Sequence, residues 1–322
     1  MARLPELDYA AEADRISARL REITVTSLRR RGLVVAMSGG IDSSVCAALA
    51  VRALGKDRVF GLLLPERDSS GSSSKLGRLL AEHLGIRYAL HDISSTLAAI
   101  GCYSAQDEVL CRVLPGFGDG WKFKLAITES MAGRIGITRV VAEDPSGIRH
   151  EQRLSAPDYL QIVAATNFKQ RVRKTLEYFH ADRLNYAVVG TPNRLEYDQG
   201  FFVKNGDGAA DVKPIAHLYK TQVYGMARHL GLPDPITTTT PTTDTFSLAQ
   251  GQDEFYFGLP YPKMDLALWH LNQGLSAAEL ARELGCDEKA AEQQFESIRA
   301  KRRTTAYLHA APMLVVPVPE VP

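Results

Sequence analysis

The residues best suited to chemistry are the serines, glycines and aspartate of the segment Ser38–Ser44, which reads SGGIDSS. Its glycines allow backbone N–H groups to close around an anion, and the hydroxyls of Ser38, Ser43 and Ser44 add further donors. Asp42 is a carboxylate in an anion cradle, an arrangement that is favourable when Mg²⁺ accompanies a phosphate. The segment lacks the G-x-x-x-x-G-K-[ST] pattern of a Walker-type loop. We therefore predict a phosphate-binding turn of another type, in preference to a plain glycine turn that only caps a helix.

The elements around this turn are those of a strand–turn–helix unit. Leu33–Met37 is a short apolar run typical of a buried parallel strand, and Val45–Ala53 is an alanine-rich helix. Further strands are predicted at Val59–Leu64, Ile86–Ile93 and Tyr186–Thr191, and helices at 8–30, Ser72–Leu84, Asn167–His180 and Lys220–Leu230. Because strands and helices alternate, we predict an α/β fold with a doubly wound parallel sheet. The carboxyl edge of that sheet would carry the turn.

Two stretches interrupt this alternation. Residues from about 100 to 160 are rich in glycine and contain short alternating stretches, which predict a small inserted β-rich segment. The threonine-rich tract Thr237–Thr240 is predicted to be a mobile loop. We divide the chain into a nucleotide-binding domain at 1–265, which contains the insertion, and a helical C-terminal region at 266–322 that ends in an extended, proline-containing tail.

The overall composition argues against several classes of protein. The 322 residues include 38 Lys and Arg and 37 Asp and Glu, a formal net charge of +1, so binding to nucleic acid through bulk charge is not expected. No apolar run approaches the roughly 20 residues of a membrane span, and the acidic N-terminus lacks the apolar region of a signal peptide. We therefore predict a cytoplasmic protein without a membrane partner. The four scattered cysteines lack the spacing of a zinc site and are expected to be reduced.

A helical pair at Leu275–Thr304 has the outline of a DNA-binding helix-turn-helix. Ser276 stands where the first helix would be capped, and Gly285 stands at the turn. A recognition helix should begin with basic and amide side chains, whereas Asp287 and Glu288 occupy that place. We therefore expect the pair to serve in packing or dimer formation and expect no nucleic-acid partner.

The turn and its flanking strand resemble the pyrophosphate loop of the N-type ATP pyrophosphatases, and further segments resemble the NAD synthetase family in particular. These segments follow one another in the family's order from about residue 15 to 270, apart from the insertion. They are LPERDSS (64–70), NFKQRVR (167–173), GTPNRLEY (190–197), GFFVKNGDGAAD (200–211), PIAHLYKTQV (214–223) and the region 241–261. The resemblance implies an adenine-nucleotide α-hydrolase-like, Rossmann-like fold.

The resemblance also implies a two-step amidation. In this family a carboxylate of deamido-NAD attacks the α-phosphate of ATP, pyrophosphate leaves, and ammonia then displaces AMP to give NAD. The implied activity is that of an ammonia-dependent NAD synthase, a carbon–nitrogen ligase with ATP as co-substrate and Mg²⁺ as cofactor.

Roles for individual residues follow from the same resemblance. Asp42 and Glu196 match the family's magnesium ligands, and Lys220 matches a lysine on the ATP phosphates, so that Asp42 and Lys220 would be catalytic. The contacts to deamido-NAD are matched by Arg171, Lys204 and Asp211. The ATP-binding set consists of Ser38, Gly39, Gly40, Ile41, Asp42, Ser43, Thr191, Lys220 and Thr242.

Two features depart from the family's pattern. The family often ends with a His-Lys or Lys-Arg pair before a proline, whereas here His309 is followed by two alanines and Pro312. The insertion at 100–160 is longer than the family's usual connection. Both features leave open the alternative that the chain is a related ligase, which adenylates and amidates a different carboxylic acid. A third alternative is a nucleotide-binding module without catalytic activity.

The source of nitrogen is a separate question. Glutamine-dependent synthetases carry an amidase domain, for which the few residues before the first predicted helix leave no room. We therefore expect free ammonia, or ammonia from a separate glutaminase partner, as the donor. The resemblance further implies a homodimer.

Overall fold

A parallel sheet and an antiparallel sheet organise the computed structural model, which describes residues 4–69, 71–128, 137–238, 246–248 and 256–319. In chain order the strands are β1 (Leu33–Ala36), β2 (Val59–Leu63), β3 (Arg87–Leu90), β4 (Lys122–Thr128), β5 (Ile137–Glu143), β6 (Arg149–Arg153) and β7 (Ala187–Val188). The helices are α1 (Tyr9–Glu22), α2 (Ile41–Leu54), α3 (Gly71–Leu84), α4 (Ser94–Ala99), α5 (Cys102–Val113), α6 (Ala156–Leu184), α7 (Arg194–Gln199), α8 (Lys220–His229), α9 (Asp234–Thr237), α10 (Tyr261–Gln273), α11 (Ala277–Leu284) and α12 (Glu288–His309).

The central sheet has the strand order β3–β2–β1–β7, and all of its pairs are parallel. Leu33 of β1 aligns with Val59 of β2 on one side and with Ala187 of β7 on the other. The chain therefore progresses outward from β1 to β3 and then returns to the opposite side of β1. A reversal of this kind opens a crevice at the carboxyl ends of the two strands where it occurs.

Both faces of this sheet are covered by helices, which confirms the doubly wound α/β fold. Leu33 and Val35 pack into a core with α1, α2 and α8, whereas Val34 between them packs against α4, α5 and α6 on the other face. Successive side chains of a strand point to opposite faces, so a strand buried on both faces is a continuous apolar run.

The inserted segment is confirmed as β-rich only in part. Strands β4, β5 and β6 form a separate antiparallel sheet in that order, from here on called the meander. The prediction of a β-rich segment is wrong on both sides of the meander, because 102–113 form α5 and α6 already begins at Ala156. Cys102, Val109 and Leu110 are buried at helical spacing, a signal that the neighbouring glycines obscured.

Several predicted boundaries shift because of capping. The helix predicted at 8–30 is α-helical only from Tyr9 to Glu22, and one π-helical turn, Ile23–Ser27, follows it. The helix predicted at Asn167–His180 extends over the whole of α6, since Ser155 caps its start and Asn185, in the left-handed conformation, ends it. Of the threonine-rich tract, Thr237 belongs to α9, and residues 239–240 lie outside the described residues.

The C-terminal region is helical, as predicted. Helices α10, α11 and α12 share a core that includes Phe257, Leu268, Leu280 and Phe295. The boundary at residue 265 falls inside α10 and stays a prediction. Within the ranges described above, none of the helices is both long and apolar enough to cross a membrane.

Candidate active site

A cavity of about 930 Å³ lies at the carboxyl ends of β1, β2 and β7. Its lining includes the predicted turn Ser38–Ser43, Thr191 after β7 and Glu196 on α7. The segment Leu64–Ser69 after β2 forms another wall. The topology thus brings residues from three distant parts of the chain to one crevice.

The backbone of the turn closely approaches α3 at Gly39, and two serine hydroxyls tie the turn to the start of α2. Gly39 has φ of +78°, and a Cβ atom there would lie 2.7 Å from the carbonyl oxygen of Ser73. The hydroxyls of Ser43 and Ser44 donate to the carbonyl oxygen of Gly40, at 3.0 and 2.9 Å. These contacts hold the first turn of a 14-residue helix against the cavity. The N–H groups and the dipole of such a helix end attract an anion.

Asp42 is the centre of the polar contacts in this crevice. Its Oδ2 accepts a hydrogen bond from the ammonium of Lys220, which is completely buried. Its Oδ1 accepts from the Nδ2 of Asn193, at 3.0 Å. The three side chains come from α2, from the start of α8 and from the N-terminal cap of α7, so they fix the relative positions of these helices.

Glu196 is held beside Asp42 by the capping of α7. Asn193 accepts from the backbone N–H of Glu196, and Oε2 of Glu196 accepts from the N–H of Asn193 at 3.1 Å, which is a capping box. Burial and the negative charge of Asp42 raise the pKa of Glu196 to about 8. Burial alone would lower the pKa of Lys220, but the carboxylates of Asp42 and Glu196 outweigh it, and the pKa is raised.

Asp265 positions Lys220 from outside the crevice, and sequence reasoning missed this role. Its carboxylate accepts from the backbone N–H groups of Lys220 and Thr221, at 3.1 and 2.8 Å, and so caps α8. The ring of Tyr261 lies 5.1 Å from the ammonium of Lys220. Both residues belong to α10, so the C-terminal region contributes to the placement of the lysine.

A buried ionic cluster supports the wall that follows β2, and sequence reasoning missed it as well. The ammonium of Lys169 lies 3.0 Å from Oε1 of Glu66 and 2.6 Å from Oδ2 of Asp68. Tyr103 donates to the other oxygen of Glu66 at 2.9 Å. Because Asp68 lines the cavity, this cluster ties the cavity wall to α5 and α6.

The predicted contacts to the acid substrate lie outside the cavity lining. Nε of Arg171 donates to the carbonyl oxygen of Lys204 at 3.3 Å, and the ammonium of Lys204 donates to the carbonyl oxygens of Tyr307 and Ala310 at the end of α12. Asp211 accepts from the N–H of Val188 at 2.7 Å. Arg171 and Lys204 thus lie by the end of α12, whereas Asp211 lies beside β7. Thr242, predicted to contact ATP, lies outside the described residues.

The end of α12 is anchored at the same place. The ring of His309 packs edge-on against the rings of Tyr197 and Phe202, with centroid distances of 4.9 and 5.0 Å. Lys213 lies 4.8 Å from the Tyr197 ring. His309, which stands where the family's terminal pair was expected, thus packs against the segments that carry the predicted acid-substrate contacts.

The donor set in the crevice fits a magnesium ion. Asp42 and Glu196 offer carboxylate oxygens, which are the ligands that Mg²⁺ prefers. Burial and the charge of Asp42 raise the pKa of Glu196, and a divalent cation bound between the two carboxylates would offset both effects. Among the described residues no group of three or more His, Cys, Asp or Glu side chains could hold a metal ion. Mg²⁺ commonly uses one or two protein carboxylates and completes its shell with water and substrate phosphates.

A family profile and several known proteins match this sequence over most of its length. The profile of the NAD synthase family matches residues 13–112 and 131–306. The NH3-dependent NAD(+) synthetase of Mesorhizobium japonicum is 56% identical over 315 residues, which cover 98% of this chain and 99% of that protein. The enzyme of the same name from Thermotoga maritima is 40% identical over 252 residues, 76% of this chain and 83% of that one.

Solved structures show the same fold at lower identity. The NH3-dependent NAD synthetase of Campylobacter jejuni has a TM-score of 0.64 at 22% identity, over 96% of this chain and all of that one. The NMN synthetase of Francisella tularensis has a TM-score of 0.67 at 21% identity, over 96% of this chain and 99% of that one. At these identities the structures support the fold alone, whereas the family profile and the sequence relatives support membership. The chain belongs to the NAD synthase family.

Proposed function

We propose that the chain is an ATP-dependent ligase that adenylates the carboxylate of deamido-NAD, releases pyrophosphate and transfers ammonia to give NAD and AMP. The observation that carries the proposal is the single crevice lined by the Ser38–Ser43 turn, Thr191 and Glu196, with the buried Lys220 paired to Asp42 behind this lining. The names of the sequence relatives support the same substrate. They favour deamido-NAD over another carboxylic acid.

In this mechanism the first step builds up negative charge at the departing pyrophosphate. The N–H groups at the start of α2 and the ammonium of Lys220 would stabilise that charge where it develops, which is the most effective use of fixed donors. Asp42 orients Lys220 toward the turn. When bound to Asp42 and Glu196, Mg²⁺ would supply a Lewis acid for the phosphate oxygens.

The acid substrate would be held near β7 and the end of α12. We propose that Arg171, Lys204 and Asp211 contact deamido-NAD there. Two of the three N–H groups of the Lys204 ammonium already donate to carbonyl oxygens, and the third can bind an anion. The anchoring of α12 would then set the position of this lysine.

Purified protein with ATP, Mg²⁺, ammonium chloride and deamido-NAD tests the proposal. NAD, AMP and pyrophosphate should appear in equal amounts, and omission of the dinucleotide should abolish ATP–pyrophosphate exchange. Absence of NAD formation, together with exchange that depends on a different acid, would establish the alternative ligase. Replacing ammonium by glutamine in the same assay tests which of the two is the nitrogen donor. The separate glutaminase partner and the cytoplasmic location stay predictions.

We also propose that the chain forms a homodimer. Apolar side chains are exposed along α6, among them Leu160 and Phe179, which are 62% and 56% exposed. Solvent-exposed apolar groups at intervals along one long helix favour association. Sedimentation equilibrium should give twice the chain mass of 35.4 kDa.

Binding of Mg²⁺ should depend on pH through Glu196. With a pKa of about 8, this carboxyl is protonated at neutral pH in the metal-free protein, and the cation must displace the proton. Affinity should therefore rise by about tenfold per pH unit up to pH 8 and level off above it. Calorimetry with a non-hydrolysable ATP analogue, in buffers of different ionisation enthalpy, measures the proton released.

Glu196→Gln is the control for this measurement. The variant cannot release that proton, so subtraction of its titration removes the contribution of the nucleotide phosphates. Equal proton release by the two proteins at pH 6.5 would contradict the prediction.

A further inference from the structure

Strand β4 of the meander forms part of the cavity wall, although the family profile leaves residues 113–130 unmatched. Lys122 and Leu125 of this strand line the cavity together with the Ser38–Ser43 turn. This part of the wall therefore comes from a segment that the family profile leaves unmatched. The resemblance assigns no role to any of its residues.

The position of β4 is fixed by its pairing with β5 and by contacts to residues 246–248. Phe123 is 2% exposed, its N–H donates to the hydroxyl of Ser247 at 3.0 Å, and its carbonyl oxygen accepts from the N–H of Leu248 at 3.0 Å. Its ring packs edge-on against Phe246 with a centroid distance of 5.5 Å. Because its neighbour is held in this way, the backbone of Lys122 has a defined place at the rim of the cavity.

The described part of the cavity lining offers few unpaired cations that could bind a phosphate. The lining includes five carboxylates, and two substrates rich in phosphate are proposed to enter. Most of the cations there are already engaged. Arg67 pairs with Asp68 and Asp107, Arg173 donates to Leu64 and Ser69, and Lys174 pairs with Glu177.

Lys122 differs from these cations. Of the lining cations in the part of the chain that the structure describes, it is the one whose charged group forms neither a hydrogen bond nor an ion pair. Its cross-strand neighbour is Glu143, but that carboxylate faces Arg149, at 3.8 Å. An exposed ammonium on a four-carbon stem is a mobile point charge, which suits a phosphate group.

We propose that Lys122 is a further substrate-binding residue, which contacts a phosphate of ATP or the pyrophosphate of the dinucleotide from the meander side of the cavity. The inference rests on the proposed function, because it assumes that phosphate-bearing substrates occupy this cavity. The proposed contact would make the meander part of the substrate-binding site. The two sources of phosphate share one chemistry, and kinetics can separate them.

Steady-state kinetics of Lys122→Ala, Lys122→Arg and Arg153→Ala test the proposal. Loss of one charge-assisted contact should raise one KM by about tenfold, and Lys122→Arg should restore most of it. A raised KM for ATP identifies the ATP phosphates, and a raised KM for deamido-NAD identifies the dinucleotide. Arg153 is an exposed cation on the same meander and does not line the cavity, so Arg153→Ala should leave both constants unchanged.

Two results would overturn the inference, and neither is confused with failure of the proposed function. Unchanged constants for both substrates in Lys122→Ala would show that the lysine does not bind them. Equal effects of Lys122→Ala and Arg153→Ala would show that only bulk charge matters. The proposed function itself fails only when the unaltered protein makes no NAD, and the Lys122 comparison is made on protein that does.

Discussion

Replacement of Asp42 by asparagine is expected to lower the rate of ATP–pyrophosphate exchange by about a thousandfold. The change keeps the shape of the side chain but removes the charge that faces the ammonium of Lys220. It also removes one of the two carboxylates proposed to hold Mg²⁺. Both losses act where negative charge develops at the departing pyrophosphate, so the chemical step should suffer more than the binding of ATP.

Exchange of labelled pyrophosphate into ATP, in the presence of deamido-NAD, measures this loss before ammonia takes part. Asp14→Asn is a matched control, because Asp14 pairs with Arg52 at the surface and has a side chain 70% exposed. Its exchange rate should equal that of the unaltered protein. An exchange rate for Asp42→Asn within a few-fold of the control would contradict the proposed role.

Lys220→Met, made alone and together with Asp42→Asn, tests whether Asp42 and Lys220 act jointly or independently. If Asp42 and Lys220 act as a unit, the double variant should be no slower than the worse single variant. Circular dichroism must accompany these assays, because removal of one partner from a buried ion pair also destabilises the fold. A multiplicative loss would indicate that the two residues contribute separately.

The part of the site that follows directly from local pattern could be predicted from the sequence. The Ser38–Ser44 turn lies at the end of β1 because an apolar run, two glycines and an alanine-rich helix leave little choice of structure. Thr191 and Glu196 follow β7 for a similar reason. Strands that are buried on both faces carry strong local signals, and parallel strands bring their carboxyl ends to one edge.

The supports of the site could not be predicted, because they depend on contacts between distant segments. Asp265 caps α8 from 45 residues away, and Lys169 meets Glu66 across 103 residues. No periodicity in the sequence encodes such pairs. Helix α5 was missed for a different reason: the glycines that follow it, between 116 and 120, dominated the interpretation of the whole segment.

The buried cluster around Lys169 leads to a second large effect, on stability. Lys169→Met is expected to lower the free energy of unfolding by about 3–5 kcal/mol, because it leaves the buried carboxylate of Glu66 without a counter-charge and leaves Asp68 with that of Arg67 alone. The side chain of Glu66 is 0% exposed and that of Asp68 is 7% exposed, so water cannot replace the ammonium. Urea unfolding followed by tryptophan fluorescence measures the loss.

Related variants are expected to lose stability in a defined order, which makes this prediction specific. Glu66→Gln should cost less than Lys169→Met, because Asp68 still faces the ammonium at 2.6 Å and the amide can still accept from Tyr103. Lys75→Met removes an exposed lysine of α3 and should change stability by no more than about 0.5 kcal/mol. If Lys169→Met were as mild as Lys75→Met, the cluster would not support the wall. Since Asp68 lines the cavity, loss of that support should also raise the KM for ATP, which links the stability of this wall to the proposed reaction.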